Sequence, residues 1–298
     1  MKKINYTFII PYKNSPQYLI RCIDSIPQRE DVEIIVVDDN SDEDKKPYTE
    51  RKDVKIILLS KDQCNGAGRA RNVGLSKASG KWILFADCDD YYVADILDKL
   101  DIYQDFDDDV IYFNFYQYLE GRKEYVWNKI SNYITECSAG ERNIDYVKYR
   151  NNAPWNKMVR RNFLEAYRIS FEEQPIANDA FFSYQVGYFS QKVKVSDEKL
   201  YNYIVYKKSQ TNSNWNKIKI KAYLEYLQKY NGFMRFVNHN DWTHGFLFLC
   251  FQLYKSKNLQ RSFNVLWYYI SHYNEICKSR NNYPDIIQQK VKNSIPNK

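Results

Sequence analysis

Four short apolar runs, rich in β-branched residues, occupy the first 90 positions: Tyr6–Ile10, Val32–Val37, Val54–Leu59 and Trp82–Ala86. They are nearly continuous rather than alternating, the pattern of strands covered on both faces. Between the first two, Leu19, Cys22, Ile23 and Ile26 recur at helical spacing within Ser15–Ile26, and Gly66–Lys77 reads as a second helix between the third and fourth. Strand, helix, strand, strand, helix, strand predicts a mostly parallel α/β sheet with right-handed crossovers. Ligands of open α/β sheets bind outside the carboxyl ends of the strands. The residues just after each run are therefore the ones that constrain chemistry.

Those residues are Pro11-Tyr12-Lys13-Asn14 after the first strand, Asp38-Asp39-Asn40-Ser41 after the second and Asp87-Cys88-Asp89-Asp90 after the fourth. Three carboxylates within four positions repel one another, and more strongly at the edge of a core than in water. A hard divalent cation makes such a cluster favourable. Mg²⁺ or Mn²⁺ takes one or two carboxylates and fills its other positions with water and diphosphate oxygens. A D-x-D spacing also arises in turns and helix caps, so the buried strand in front of it and the second acidic pair on the same sheet edge carry the argument.

Composition excludes several alternatives. The apolar runs are too short for a signal peptide or for the roughly 20 residues of a membrane span, which predicts a cytoplasmic protein, peripheral at most on the inner membrane face. Six scattered cysteines without a C-x-x-C pair predict reduced thiols, and His239, His244 and His272 match no zinc spacing. "GAGRARNVG" resembles a dinucleotide fingerprint but follows the third strand, and Arg71 stands at its third glycine position, so a dehydrogenase is disfavoured. Residues 1–110 carry 16 Lys+Arg against 22 Asp+Glu, whereas residues 111–298 carry 28 against 15. The acidic first half argues against a nucleic-acid grip; the basic second half invites an anionic partner or is a solvated surface.

The segments "FIIPYKN", "EIIVVDDNS", "GAGRARNVGL", "GKWILFADCDD", "APWNKMVRRNFL" and "NDAFF" occur in that order. Over residues 4–214 the chain resembles the nucleotide-sugar-dependent glycosyltransferases of family 2, of the bacterial capsule and surface-polysaccharide type. The resemblance implies a GT-A fold over 1–214, with a nucleotide-sugar half at 1–110 and an acceptor half at 111–214. A helical C-terminal region, 215–298, lies outside it. It also implies inverting transfer from a nucleoside-diphosphate sugar, most simply UDP-linked, to a hydroxyl of a surface glycan or lipid-linked saccharide, with Mn²⁺ or Mg²⁺. Pro11 and Tyr12 would floor the nucleotide base, Asp39 would accept from base or ribose, and Arg71 would reach the nucleotide. Asp87 would face ribose or metal-bound water, Asp89 would hold the metal, and Asp90 would support the loop or the donor sugar. Trp155 would line the acceptor pocket, with a core tryptophan as its ordinary alternative. Asp179 would be the catalytic base, although Asn178 departs from the family's Glu-Asp pair. A loop of Lys207, Lys208, Ser209, Thr211 and Ser213 would close over the diphosphate. Two rivals stay open: a catalytically silent nucleotide-sugar-binding subunit, and a nucleotidyltransferase. The latter needs a glycine- and basic-rich loop after strand one, which is absent. Residues 211–298, with 13 Lys+Arg against 4 Asp+Glu interleaved with aromatics, predict contact with an anionic membrane or packing of the appendage.

Overall fold

The computed structural model describes residues 3–122, 124–206 and 217–244, with 263, 266–267 and 270–271. The expected diphosphate-closing loop, the boundary near 214 and most of the basic C-terminal surface lie outside the described residues. The chain forms two compact units: Met1–Glu173 with Asn178–Ser209, and Gln174–Ala177 with Gln210–Lys298.

In the first unit the four apolar runs become β1 (Tyr6–Tyr12), β2 (Val32–Asp38), β3 (Val54–Leu58) and β4 (Trp82–Phe85), all mutually parallel in the order β3-β2-β1-β4. The crossovers carry α1 (Pro16–Asp24) and α2 (Gly66–Lys77). Both faces of β1 are covered, which is why its sequence does not alternate. Ile9 lies against α2, where a Cβ on Gly74 would stand 2.4 Å from its Cγ2, while Phe8 meets Tyr92 edge-on with ring centres 5.2 Å apart. Ile35, Val37, Leu59 and Ala70 close a further cluster between sheet and helix.

Beyond β4 the sheet changes direction. β5 (Tyr91–Tyr92) and α3 (Ile96–Asp101) precede β6 (Val110–Leu119), then α4 (Lys129–Ser138), α5 (Asp145–Arg150), β7 (Lys157–Arg160) and α6 (Arg161–Ala166). α7 (Ala180–Phe189) and β8 (Val193–Val205) complete the unit. The eight strands run β3-β2-β1-β4-β7-β6-β8-β5. β7 is antiparallel to both β4 and β6, and β5 is antiparallel to β8, so the parallel order legible in the first half becomes mixed in the second. Because β7 reverses twice between β4 and β6, the carboxyl ends of β1, β2, β4 and β6 share one edge. β6 and β8 run parallel with a register shift around Asn114, where the Asn114 side chain bonds Asp197, Thr135 and the carbonyl of Ser131.

The second unit contains α8 (Lys217–Phe236), which buries Leu224, Leu227, Tyr230, Phe233 and Met234. Its end is tied by the Tyr230 hydroxyl donating to the Trp242 carbonyl at 3.0 Å. No helix among the described residues is long and apolar enough to cross a membrane.

One close approach positions the site. A Cβ on Gly68 of α2 would stand 2.1 Å from the Glu172 carbonyl oxygen and 3.1 Å from the Asn178 Cβ. Neither backbone can yield without moving α2 away from the segment that leads into α7. Gly68→Ala is expected to destabilise the protein by about 1–3 kcal/mol, as overpacking does. Chemical denaturation measures this, and an unchanged midpoint would show that the two segments separate freely.

Candidate active site

The carboxyl edge of β1, β2 and β4 gathers the acidic clusters. Asp38, the last residue of β2, is 1% exposed and accepts from the Ser41 amide at 3.1 Å and from its hydroxyl, an Asx-type turn that shapes the loop. Asp39 points the other way. Its carboxylate accepts from the amides of Asn65 and Gly66, both at 3.0 Å, and from Lys13 Nζ at 3.3 Å. Asp39 thus anchors the start of α2, where a negative charge is favoured by the helix dipole. Gly66 sits at φ 78°, a left-handed conformation that a side chain resists. Pro11 and Tyr12 are buried at the end of β1, and the Tyr12 hydroxyl donates to the Lys45 carbonyl at 2.6 Å and accepts from the Ser15 amide.

Arg71, expected to reach the nucleotide, is turned inward between two loops. Its side chain is 6% exposed and spans two loops, donating to Asp87 Oδ1 at 2.6 Å and to Asn178 Oδ1 at 3.0 Å, with its guanidinium 5.3 Å from the Phe171 ring centre. The residue that departs from the family's Glu-Asp pair is therefore a partner of Arg71. As a neutral amide, Asn178 accepts the hydrogen bond without consuming the guanidinium's charge. The bridge draws the loop after β4 and the segment before α7 together.

The three carboxylates after β4 divide their tasks. Asp87 pairs with Arg71 and its amide donates to no backbone group; it is bound to the Tyr201 hydroxyl at 2.9 Å. Asp90, expected to support the loop or the donor sugar, is 1% exposed and accepts from the Ile204 amide at 2.7 Å, the loop-supporting place. Burial, then Asp89 and Asp87, push its pKa well up, and its place is behind the loop, pinning the loop to β8. Asp89 is presented between them. Its carbonyl is held by Arg21 and by the Tyr206 hydroxyl at 2.9 Å, which fixes the backbone while the residue itself stays half-buried. Burial and the neighbouring Asp87 push the Asp89 pKa up to about 6. Arg21 opposes that rise.

These carboxylates also test a metal's fit. Among the described residues no group of three or more His, Cys, Asp or Glu side chains forms a cage. The donor set suits a hard ion held by one carboxylate, Asp89, and completed by diphosphate oxygens and water. It does not suit a site built from protein alone. The four described cysteines, 22, 64, 88 and 137, are free thiols.

On the opposite side of the Arg71 bridge, Asp179 stands at the N-cap of α7 but makes no side-chain cap bond to the helix amides. Burial and Asp87 raise its pKa, while Arg71 and Lys157 oppose the shift. Trp155 is 8% exposed. Its indole stacks on Tyr201 at 4.7 Å and Tyr203 at 5.3 Å, and meets Phe115 edge-on at 4.8 Å. Most of its surface serves the core between β6, β7 and β8, and only an edge is available to a ligand. Sequence reasoning missed Arg21, Tyr201 and Tyr206, which position the Asp87–Asp90 loop from 68, 114 and 117 residues away. No local pattern marks such distant contacts.

A mixed α/β sheet with two acidic loops on one carboxyl edge and a further carboxylate facing them defines the GT-A class. Residues 7–168, more than half of the chain, match the model of glycosyl transferase family 2, and the chain belongs to that family. It is 24% identical to the putative glycosyltransferase EpsH of Bacillus subtilis over 67% of this chain and 60% of that protein. It is 27% identical to the glycosyltransferase GlyA of Streptococcus pneumoniae over 68% of this chain and 31% of that one. The chain therefore spans less than two thirds of the length of these curated relatives. The solved structure of Staphylococcus aureus TarS with UDP-GlcNAc superposes with a TM-score of 0.61 at 22% identity, covering 78% of this chain and 66% of that one. This agreement is one of fold.

Proposed function

We propose that this chain transfers a sugar from a UDP-sugar to a hydroxyl of a surface glycan or lipid-linked saccharide, with inversion at the anomeric carbon. The observation that carries the reading is the Arg71 bridge, which ties Asp87, two residues before Asp89, to Asn178, the neighbour of Asp179. Inverting displacement needs a stabilised leaving group on one side of the anomeric carbon and a proton acceptor on the other. Asp89 would hold Mn²⁺ or Mg²⁺, which when bound supplies positive charge to the departing diphosphate. The Asp38–Ser41 and Asp39–Gly66 loops shape the nucleotide side, with Pro11 and Tyr12 beneath them. Asp179 takes the acceptor's hydroxyl proton at a carboxylate oxygen as the new bond forms. Arg71 keeps Asp87 and Asn178 in place so that donor and base loops stay in register.

A peripheral site at an anionic cytoplasmic membrane surface fits a lipid-linked acceptor. It is supported by the basic excess of residues 211–298 and by Phe263, Trp267 and Ile270, each more than 60% exposed and spaced four and three apart.

The test is UDP release across a panel of UDP-sugars, with saccharide acceptors and either Mn²⁺ or Mg²⁺. Acceptor-stimulated release with one donor and its loss in EDTA are expected. Tight UDP-sugar binding without release, under any acceptor, would establish a binding subunit instead.

A further inference from the structure

Lys157, the first residue of β7, has no task in the transfer scheme above, yet it is 1% exposed. An ammonium taken wholly out of water is costly unless its protons are satisfied. Here Nζ donates to the carbonyls of Asn151, at 3.3 Å, and Ala153, and to Asn156 Oδ1 at 3.4 Å. These acceptors all belong to the turn between α5 and β7, the turn that carries Trp155. The groups facing Lys157 from neighbouring elements are the Tyr112 ring of β6, 5.4 Å away, with Tyr149 of α5 beside its hydroxyl, and Asp179 at the start of α7.

The same turn is tied to α7 from its other side. Ser183 Oγ donates to the Asn152 carbonyl at 2.7 Å, and the Tyr184 hydroxyl donates to Asn152 Oδ1 at 2.7 Å. Lys157 and α7 thus grip the 151–156 turn from two sides, and α7 begins directly after Asp179. Burial brings the Lys157 pKa down to about 7 and Asp179 opposes that fall; at Asp179, where burial and Asp87 raise the pKa, Arg71 lowers it first and Lys157 adds to that, with Tyr203 also facing the carboxylate. No carboxylate pairs with Lys157 directly; carbonyl dipoles and the nearby Asp179 charge support its ammonium instead.

We propose that Lys157 is a positioning residue for transfer, whose buried ammonium clamps the Asn151–Asn156 turn on the acceptor side and, together with Arg71, supplies positive charge to Asp179. The inference rests on the reading of Asp179 as the base. A cation near Asp179 favours its charged form, so removing the cation moves the acid limb of turnover to higher pH.

Lys157→Gln keeps two donors, one atom nearer the backbone, but removes the charge; Lys157→Met removes both charge and donors. Acceptor-dependent turnover, UDP affinity and the pH profile of kcat are measured for both, beside Asp179→Asn. With Gln, the acid limb is expected to shift upward while UDP affinity stays within about twofold. With Met, the same shift is expected, together with about a tenfold or greater rise in acceptor KM as the turn loosens. If Asp179→Asn is inactive and the Gln protein keeps the wild-type acid limb, the inference fails and the base reading stands. If Asp179→Asn turns over normally, both fail. Should the Met protein lose UDP binding through misfolding, the Gln protein alone decides.

Discussion

Asp179→Asn is expected to lower turnover by about 10²–10⁴-fold while leaving UDP affinity and the melting temperature close to wild type. The substitution keeps size and polarity but cannot accept a proton at neutral pH. The bland alternative for an aspartate at this position is a helix cap whose charge favours the dipole. The absence of a cap bond from its side chain to the α7 amides argues against that role, and Asn would in any case cap as well as Asp. In the wild-type protein the raised Asp179 pKa has a definite consequence. Turnover falls as pH drops through that raised value, because the protonated carboxyl no longer accepts, so the acid limb lies above that of an ordinary aspartate. Kinetics of the Asn variant between pH 5 and 8 settle the matter. Near-normal turnover would move the base elsewhere.

Asp89→Asn is expected to lower metal-supported transfer by about 10²–10³-fold, the scale of losing one electrostatic contact to a developing negative charge. Its effect on stability runs the other way. A carboxylate whose folded pKa is raised to about 6 is a cost that is fully present above pH 6, shrinks as pH falls through 6, and vanishes below its unfolded value near 4. The metal-free Asn protein should therefore melt at or above the wild-type temperature at pH 7, and the difference should disappear by pH 4. Added Mn²⁺ should raise the wild-type melting temperature in the presence of UDP and leave the variant unmoved. Full activity of the variant, or of the wild type in EDTA, would refute the metal role. Gain in stability with loss of activity is the signature of a functional carboxylate, and a structural Asp would lose both.

The amino-acid sequence by itself determined the parallel half of the fold. Continuous β-branched runs and helical spacing are local signals, set by what each residue's neighbours in sequence allow, and β1 to β4 with α1 and α2 follow them closely. It also determined which loops carry charge, since Asp39, Asp87 and Asp89 fall directly after strands whose carboxyl ends share one edge. Tertiary structure alone decided what each charged group does. Asp89 and Asp90 are neighbours of the same type, yet pairing of β5 with β8 buries Asp90 under the Ile204 amide and leaves Asp89 half-buried. Arg71 looks like a surface helix cation in a glycine-rich helix until Asp87 and Asn178, 16 and 107 residues away, close around it. Trp155 and Lys157 lie two apart in one short motif, and only the packing of β6, β7 and β8 assigns one to an aromatic stack and the other to a cradle of carbonyls. Burial and the direction of a partner's dipole depend on contacts distant in sequence, and those contacts set both the charge state and the reach of a side chain.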